Sequence, residues 1–138
     1  MSRPTKVIVN RQAIKNNLAL ANSLAPTSKF VSVIKANAYG HGLIEIAKTL
    51  SDSTEAFGVA CIEEAISIRN AGIENPILLM EGLFTEDELQ VASEKNFWLM
   101  EVYSKFLKID VHYLQKIFPI QKVKLLVTMM SYPKEKKK

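Results

Sequence analysis

A single cysteine, Cys61, occurs among the 138 residues, so no internal disulfide can brace the fold. A lone thiol suits a reducing compartment. The two histidines, His41 and His112, do not by themselves make a metal site. No apolar run approaches the roughly 20 residues of a membrane span, and the stretch Leu18–Ala25 is broken by Asn22 and Ser23. Arg3 and Lys6 near the N-terminus are not followed by a signal-peptide apolar run. These absences lead us to expect a cytoplasmic chain with no membrane partner.

Three residue types vanish abruptly. All twelve Ala, all five Gly and all three Arg lie within the first hundred residues, and residues 101–138 contain none of them. Caps, turns and close helix–sheet packing use Gly and Ala, so their joint loss is odd for one continuing fold. Charge changes at the same place. Residues 1–104 hold nine Lys/Arg against twelve Asp/Glu, whereas 105–138 hold nine Lys against two acids. The net charge of +4 therefore belongs to the last quarter, which ends in Lys136-Lys137-Lys138 with no aromatic interleaved. That pattern reads as a solvated tail rather than a nucleic-acid surface, and no nucleic-acid partner is expected. We expect the coding sequence to leave its ancestral frame near Met100–Glu101. The alternative is a genuine Lys-rich segment, with Tyr103–Ile117 as a helix and Val123–Met129 as a strand.

What is present is an ordinary globular composition, 48% hydrophobic and 23% charged. Val7–Val9 is a short strand candidate. Ile14, Leu18, Ala21 and Ala25 recur at helical spacing and stop at Pro26. Phe30–Ile34 is an apolar, β-branched strand, followed by the turn-rich Asn37–Gly42 and an amphipathic helix through Leu43, Ile46, Ala47 and Leu50. Ala56–Ile62 predicts a strand that includes a buried Cys61. Glu63–Ala71 predicts a helix with Gly72 at its C-cap and the two carboxylates simply at its start. Pro76–Met80 is a third strand, Thr85 and Glu88 have capping-box spacing for a helix to about Lys95, and Phe97–Met100 is a fourth strand. Strands alternating with helices imply right-handed βαβ units and a parallel sheet. The short apolar strands suit an α/β fold of the (β/α)8 barrel type. A complete barrel takes about 250 residues, so only the first four to five β/α units are expected here.

One segment carries chemistry: Val33-Ile34-Lys35-Ala36-Asn37-Ala38-Tyr39-Gly40-His41-Gly42. A lysine at the end of a hydrophobic strand would lie at the C-terminal mouth of a barrel, where active sites are built. Burial there would favour the free amine needed to form an imine. Gly40 and Gly42 permit a sharp turn with close backbone approach to a ligand. Taken alone, such a lysine is more often a solvated strand end, and a Gly-His-Gly turn only a turn.

The string Lys35-Ala36-Asn37-Ala38-Tyr39-Gly40-His41-Gly42 resembles the pyridoxal-phosphate attachment signature of alanine racemases at eight consecutive positions. The similarity runs from about Val7 to Met100. It includes Phe57-Gly58-Val59-Ala60, Glu64-Ala65, Arg69-Asn70-Ala71-Gly72-Ile73 and Pro76-Ile77-Leu78. The resemblance implies a fold-type III enzyme, with an N-terminal (β/α)8 barrel, a mostly β C-terminal domain and a homodimeric assembly. It implies pyridoxal 5'-phosphate held covalently by Lys35, which then serves as acid and base on one face of the α-carbon as L-alanine and D-alanine interconvert for peptidoglycan. Tyr39 matches a position that bonds the cofactor phosphate, and Val33 one that lies against its ring. The expected domain division is residues 1–100 as the first half of the barrel and 101–138 as an atypical segment. The C-terminal domain, with the family's second base, is expected to be absent. The chain alone is therefore expected to be weakly active or inactive. A non-catalytic cofactor-binding fragment, a broad-specificity amino-acid racemase fragment and an unstable half barrel are the competing readings.

Overall fold

The computed structural model describes residues 7–100. The tail helix and strand expected beyond residue 100 lie outside them. Along the described chain run α1 (Arg11–Leu24), β1 (Val31–Val33), α2 (Lys35–Tyr39), α3 (Leu43–Leu50), β2 (Ala56–Val59), α4 (Ile62–Asn70), β3 (Ile77–Leu79), α5 (Asp87–Glu94) and β4 (Phe97–Leu99). The four strands form one parallel sheet in the order β1-β2-β3-β4. Each strand joins its sequential neighbour through a helical crossover, which is the repeating unit of a β/α barrel.

Local signals explain the elements. The Asn10 side chain accepts the amide of Ala13 at 3.0 Å and starts α1, which stops short of Pro26. Gly72, at φ +80°, follows the C-cap of α4. The strand expected at Val7–Val9 is not formed. Val7 and Ile8 are 71% and 76% exposed, and among the described residues no strand pairs with this β-branched run. The capping box expected at α5 is also displaced. Glu88 reaches back to the amide of Phe84, at 2.8 Å, rather than to that of Thr85, and no side chain caps the helix at Glu86.

Register separates the two faces of the sheet. Ser32, Phe57, Ile77 and Phe97 stand abreast, and Phe57, Val59, Ile77, Leu79 and Phe97 pack with Ile46, Ala65, Ile68 and Ala92 of the helices. These residues form the core between sheet and helices. Val33, Gly58, Leu78 and Trp98 stand abreast at the alternate positions and so face the inner side. The inner face is tight at Gly58, where a Cβ would come within 3.0 Å of Met80 Sδ and 3.4 Å of methyls on Val31 and Val33. Arg69 ties the far side of the unit together. Its guanidinium donates to the carbonyls of Ile73 and Asn75, at 2.7 and 2.8 Å, and lies 5.6 Å from the centre of the Phe97 ring.

Candidate active site

The site grows from the C-terminal end of β1. Ile34 extends the strand by one bond, donating its amide to the Gly58 carbonyl at 2.9 Å, and Lys35 then opens α2. That element is not an ordinary helix. Ala36, Asn37, Ala38 and Tyr39 all have φ between +52° and +54°, making a left-handed turn of four non-glycine residues. Each such residue costs about 1–2 kcal/mol relative to the right-handed form, less for Asn, so the surroundings must hold the turn in place.

The bonds that hold it are on both sides. Ala38 donates its amide to Ile34 at 2.8 Å, and Gly42 donates to the Asn37 carbonyl at 3.0 Å. The Asn37 side chain accepts the first amide of α3, from Leu43, at 2.8 Å. His41 places Nδ1 2.9 Å from the Ala38 carbonyl, which makes it a turn residue as its setting between glycines suggests. Ala38 is fully buried against the core. From the next β/α unit, Glu64 accepts the Asn37 amide at 3.1 Å through one oxygen and the Ala60 amide at 3.0 Å through the other. Gly40 (φ +85°) and Gly42 (φ +96°) supply the permissive positions expected of them.

The lysine itself is less enclosed than its sequence setting suggests. About a third of its side chain is open, and Nζ stands 3.5 Å from a carboxylate oxygen of Glu81, just beyond β3. Val33 is buried on the inner face at the last position of β1, two residues before Lys35. Tyr39 is 45% exposed at the end of the turn. The three residues singled out from sequence therefore lie on one strand and its following turn. Glu64 and Glu81 were not singled out. Glu64 read as a helix-start carboxylate, and nothing in spacing alone reveals that it crosses to another turn.

Cys61 requires a correction. It is not a core strand residue, because β2 ends at Val59 and Cys61 caps α4 half-buried. Burial is the chief cause pushing its thiol above the ordinary value, opposed by a bond to the Glu64 backbone and aided by the Glu63 carboxylate. An activated thiolate is thus disfavoured. Among the described residues no group of His, Cys, Asp and Glu side chains could hold a metal, and no helix is long and apolar enough to cross a membrane.

A parallel β/α sheet that presents an amine at the C-terminal end of its first strand defines a lysine-bearing β/α-barrel protein. Comparison with known proteins narrows that class. The family model for the alanine racemase N-terminal domain matches residues 9–105, and the chain belongs to that family. It is 45% identical over 108 residues to the alanine racemase of Legionella pneumophila (strain Lens), covering 78% of this chain and 30% of that protein. The solved alanine racemase of Acinetobacter baumannii superposes with a TM-score of 0.68 at 38% identity, over 83% of this chain and 32% of the other. The histidine racemase of Leuconostoc mesenteroides superposes with a TM-score of 0.58 at 31% identity, over 63% and 23%. The chain thus spans about a third or less of each of these relatives.

Proposed function

We propose that residues 1–100 supply the cofactor-bearing first half of an alanine racemase barrel, with Lys35 as the residue that holds pyridoxal 5'-phosphate. The observation that carries this is the primary amine of Lys35, partly open at the strand end. It is preceded by Val33, buried on the inner face of β1, and followed by the exposed phenol of Tyr39. This donor set suits an aldehyde that carries a flat ring and a phosphate: an amine for the carbonyl carbon, an apolar wall for the ring and a phenol for a phosphate oxygen.

When bound, the cofactor draws electrons away from the substrate α-carbon and so makes its hydrogen removable. Lys35 would hold the cofactor through Nζ, and as a free amine it would accept that proton on one face and return it there in the reverse direction. Val33 would keep water from the ring face, and the Tyr39 hydroxyl would donate to the phosphate and hold its position. Nζ must first leave Glu81, so the ion pair marks a resting position of the lysine. The substrates of this reading are L-alanine and D-alanine, and the complete assembly is a homodimer in the cytoplasm, where the Cys61 thiol stays reduced.

A specific finding favours a wider substrate range as the second reading. A histidine racemase shares this β/α segment, so the lysine-bearing strand and turn are compatible with a side chain much larger than a methyl group. The segment beyond residue 100 stands apart in this proposal. The family match stops at residue 105, a few residues past the loss of Ala, Gly and Arg, which supports a change of reading frame there. Sequencing the gene past codon 100 checks it: a racemase frame offset by one or two bases is expected, and a continuous unrelated frame would remove the idea. The proposal for Lys35 is tested by incubating the chain with pyridoxal phosphate, reducing with borohydride and mapping the modified peptide.

A further inference from the structure

We infer that Glu64 is a positioning residue for Lys35, fixing the left-handed turn that carries the lysine; the inference rests on the reading of Lys35 given above. Asn37, two residues beyond the lysine, lies in the first turn of α2, where backbone amides have no acceptor within the turn. Glu64 Oε1 accepts that amide at 3.1 Å, and Glu64 Oε2 accepts the Ala60 amide at 3.0 Å. One planar carboxylate therefore links the turn after β1 to the chain leaving β2, and both bonds are charge-assisted. Ala60 follows directly on β2, which is paired in register with β1, so the link refers the turn to the sheet itself.

The neighbouring acids do different things. Glu63 is exposed, and the bond from the Cys61 thiol is the chief cause that lowers its pKa. Glu81 meets the lysine amine at 3.5 Å. Glu64 instead bonds backbone that must adopt an unfavourable conformation for Lys35 to emerge toward the mouth. Without it, the Asn37 amide loses its carboxylate acceptor and the turn its anchor to β2.

The test uses the full chain and three variants, Glu64→Ala, Glu64→Gln and Glu63→Ala. In the cofactor-free protein, amide hydrogen exchange of the peptide spanning 35–42 should accelerate by about tenfold or more in Glu64→Ala, because local opening no longer breaks two charge-assisted bonds. Peptides from β3 and α5 should exchange as before. Glu64→Gln keeps one acceptor oxygen and should fall between; it stands in if the alanine variant does not fold. Glu63→Ala should match the parent. Borohydride-trapped labelling of Lys35 by pyridoxal phosphate should slow by a similar factor in Glu64→Ala, partly recover in Glu64→Gln and stay unchanged in Glu63→Ala. Unaltered exchange at 35–42, or acceleration spread evenly over the chain, overturns the inference. Equal labelling of parent and Glu64→Ala overturns it while leaving the Lys35 reading intact. A parent that is never labelled, with 35–42 loosened by Glu64→Ala, sinks the Lys35 reading and upholds the hold of Glu64 on the turn.

Discussion

Lys35 and Glu81 meet across β2, with Nζ 3.5 Å from the carboxylate, and so join the ends of the first and third strands. Both side chains are partly open, and such pairs are worth about 0.2–1 kcal/mol. Glu81→Gln should therefore speed covalent capture of pyridoxal phosphate at Lys35, by no more than about fivefold. The gain should shrink as salt is added, because screening weakens the pair in the parent as well. Stopped-flow absorbance at low and high ionic strength checks both parts. A slower reaction in Glu81→Gln would mean that the carboxylate assists the lysine rather than restraining it.

Ala38 combines full burial with φ +52°. Ala38→Val adds two methyls at a fully buried position and places a β-branched residue where such residues are genuine outliers. Overpacking of this kind costs about 1–3 kcal/mol, and the backbone cost adds to it. Urea denaturation should show a midpoint lowered accordingly, with Lys35 labelling reduced in the fraction that remains folded. An unchanged midpoint would mean that the turn is not held in the left-handed form.

Asn10 starts α1 by accepting the Ala13 amide. Asn10→Ala should lower stability by about 1 kcal/mol, and Asn10→Ser should retain most of it. Thermal melts followed by circular dichroism would show the difference. Lys35 labelling in the folded protein should not change, because α1 does not touch the turn through this cap.

Cys61 should be a slow thiol. Its pKa lies above the ordinary value, so at neutral pH the reactive thiolate is scarcer than in a free cysteine. Alkylation by iodoacetamide should be slower than that of glutathione at pH 7. It should keep rising with pH after the free thiol has levelled off. Glu63→Gln removes the carboxylate that adds to the shift, so it should speed alkylation, while burial keeps the rate below the free-thiol value. A rate above that of glutathione at pH 7 would contradict this account of the cap.

Much of the architecture was legible because it follows from periodicity. Phe30–Ile34, Ala56–Ile62, Pro76–Met80 and Phe97–Met100 each contain an observed strand, since apolar runs bounded by turn residues have few other places to go. Val7–Val9 has the same local character but no strand beside it among the described residues, and pairing is a property of neighbours that a local pattern does not contain. The position of Lys35 was legible for the same reason as β1. Its turn was not. Ala36 and Ala38 are poor residues for positive φ, and only long-range partners make that conformation hold. Glu64 shows the same limit from the other side: its helix-start position is local, whereas its bond to Asn37 spans 27 residues. The enclosure expected for Lys35 is partial among the described residues, with about a third of its side chain open.

The most direct measurement is the identity of the side chain that pyridoxal phosphate modifies. The full chain, treated with the cofactor, reduced with borohydride, digested and mapped by mass spectrometry, should carry the adduct on Lys35 and should lose it in Lys35→Ala. An adduct spread over the many lysines of residues 105–138, undiminished in Lys35→Ala, would show that the strand-end amine has no special claim on the cofactor.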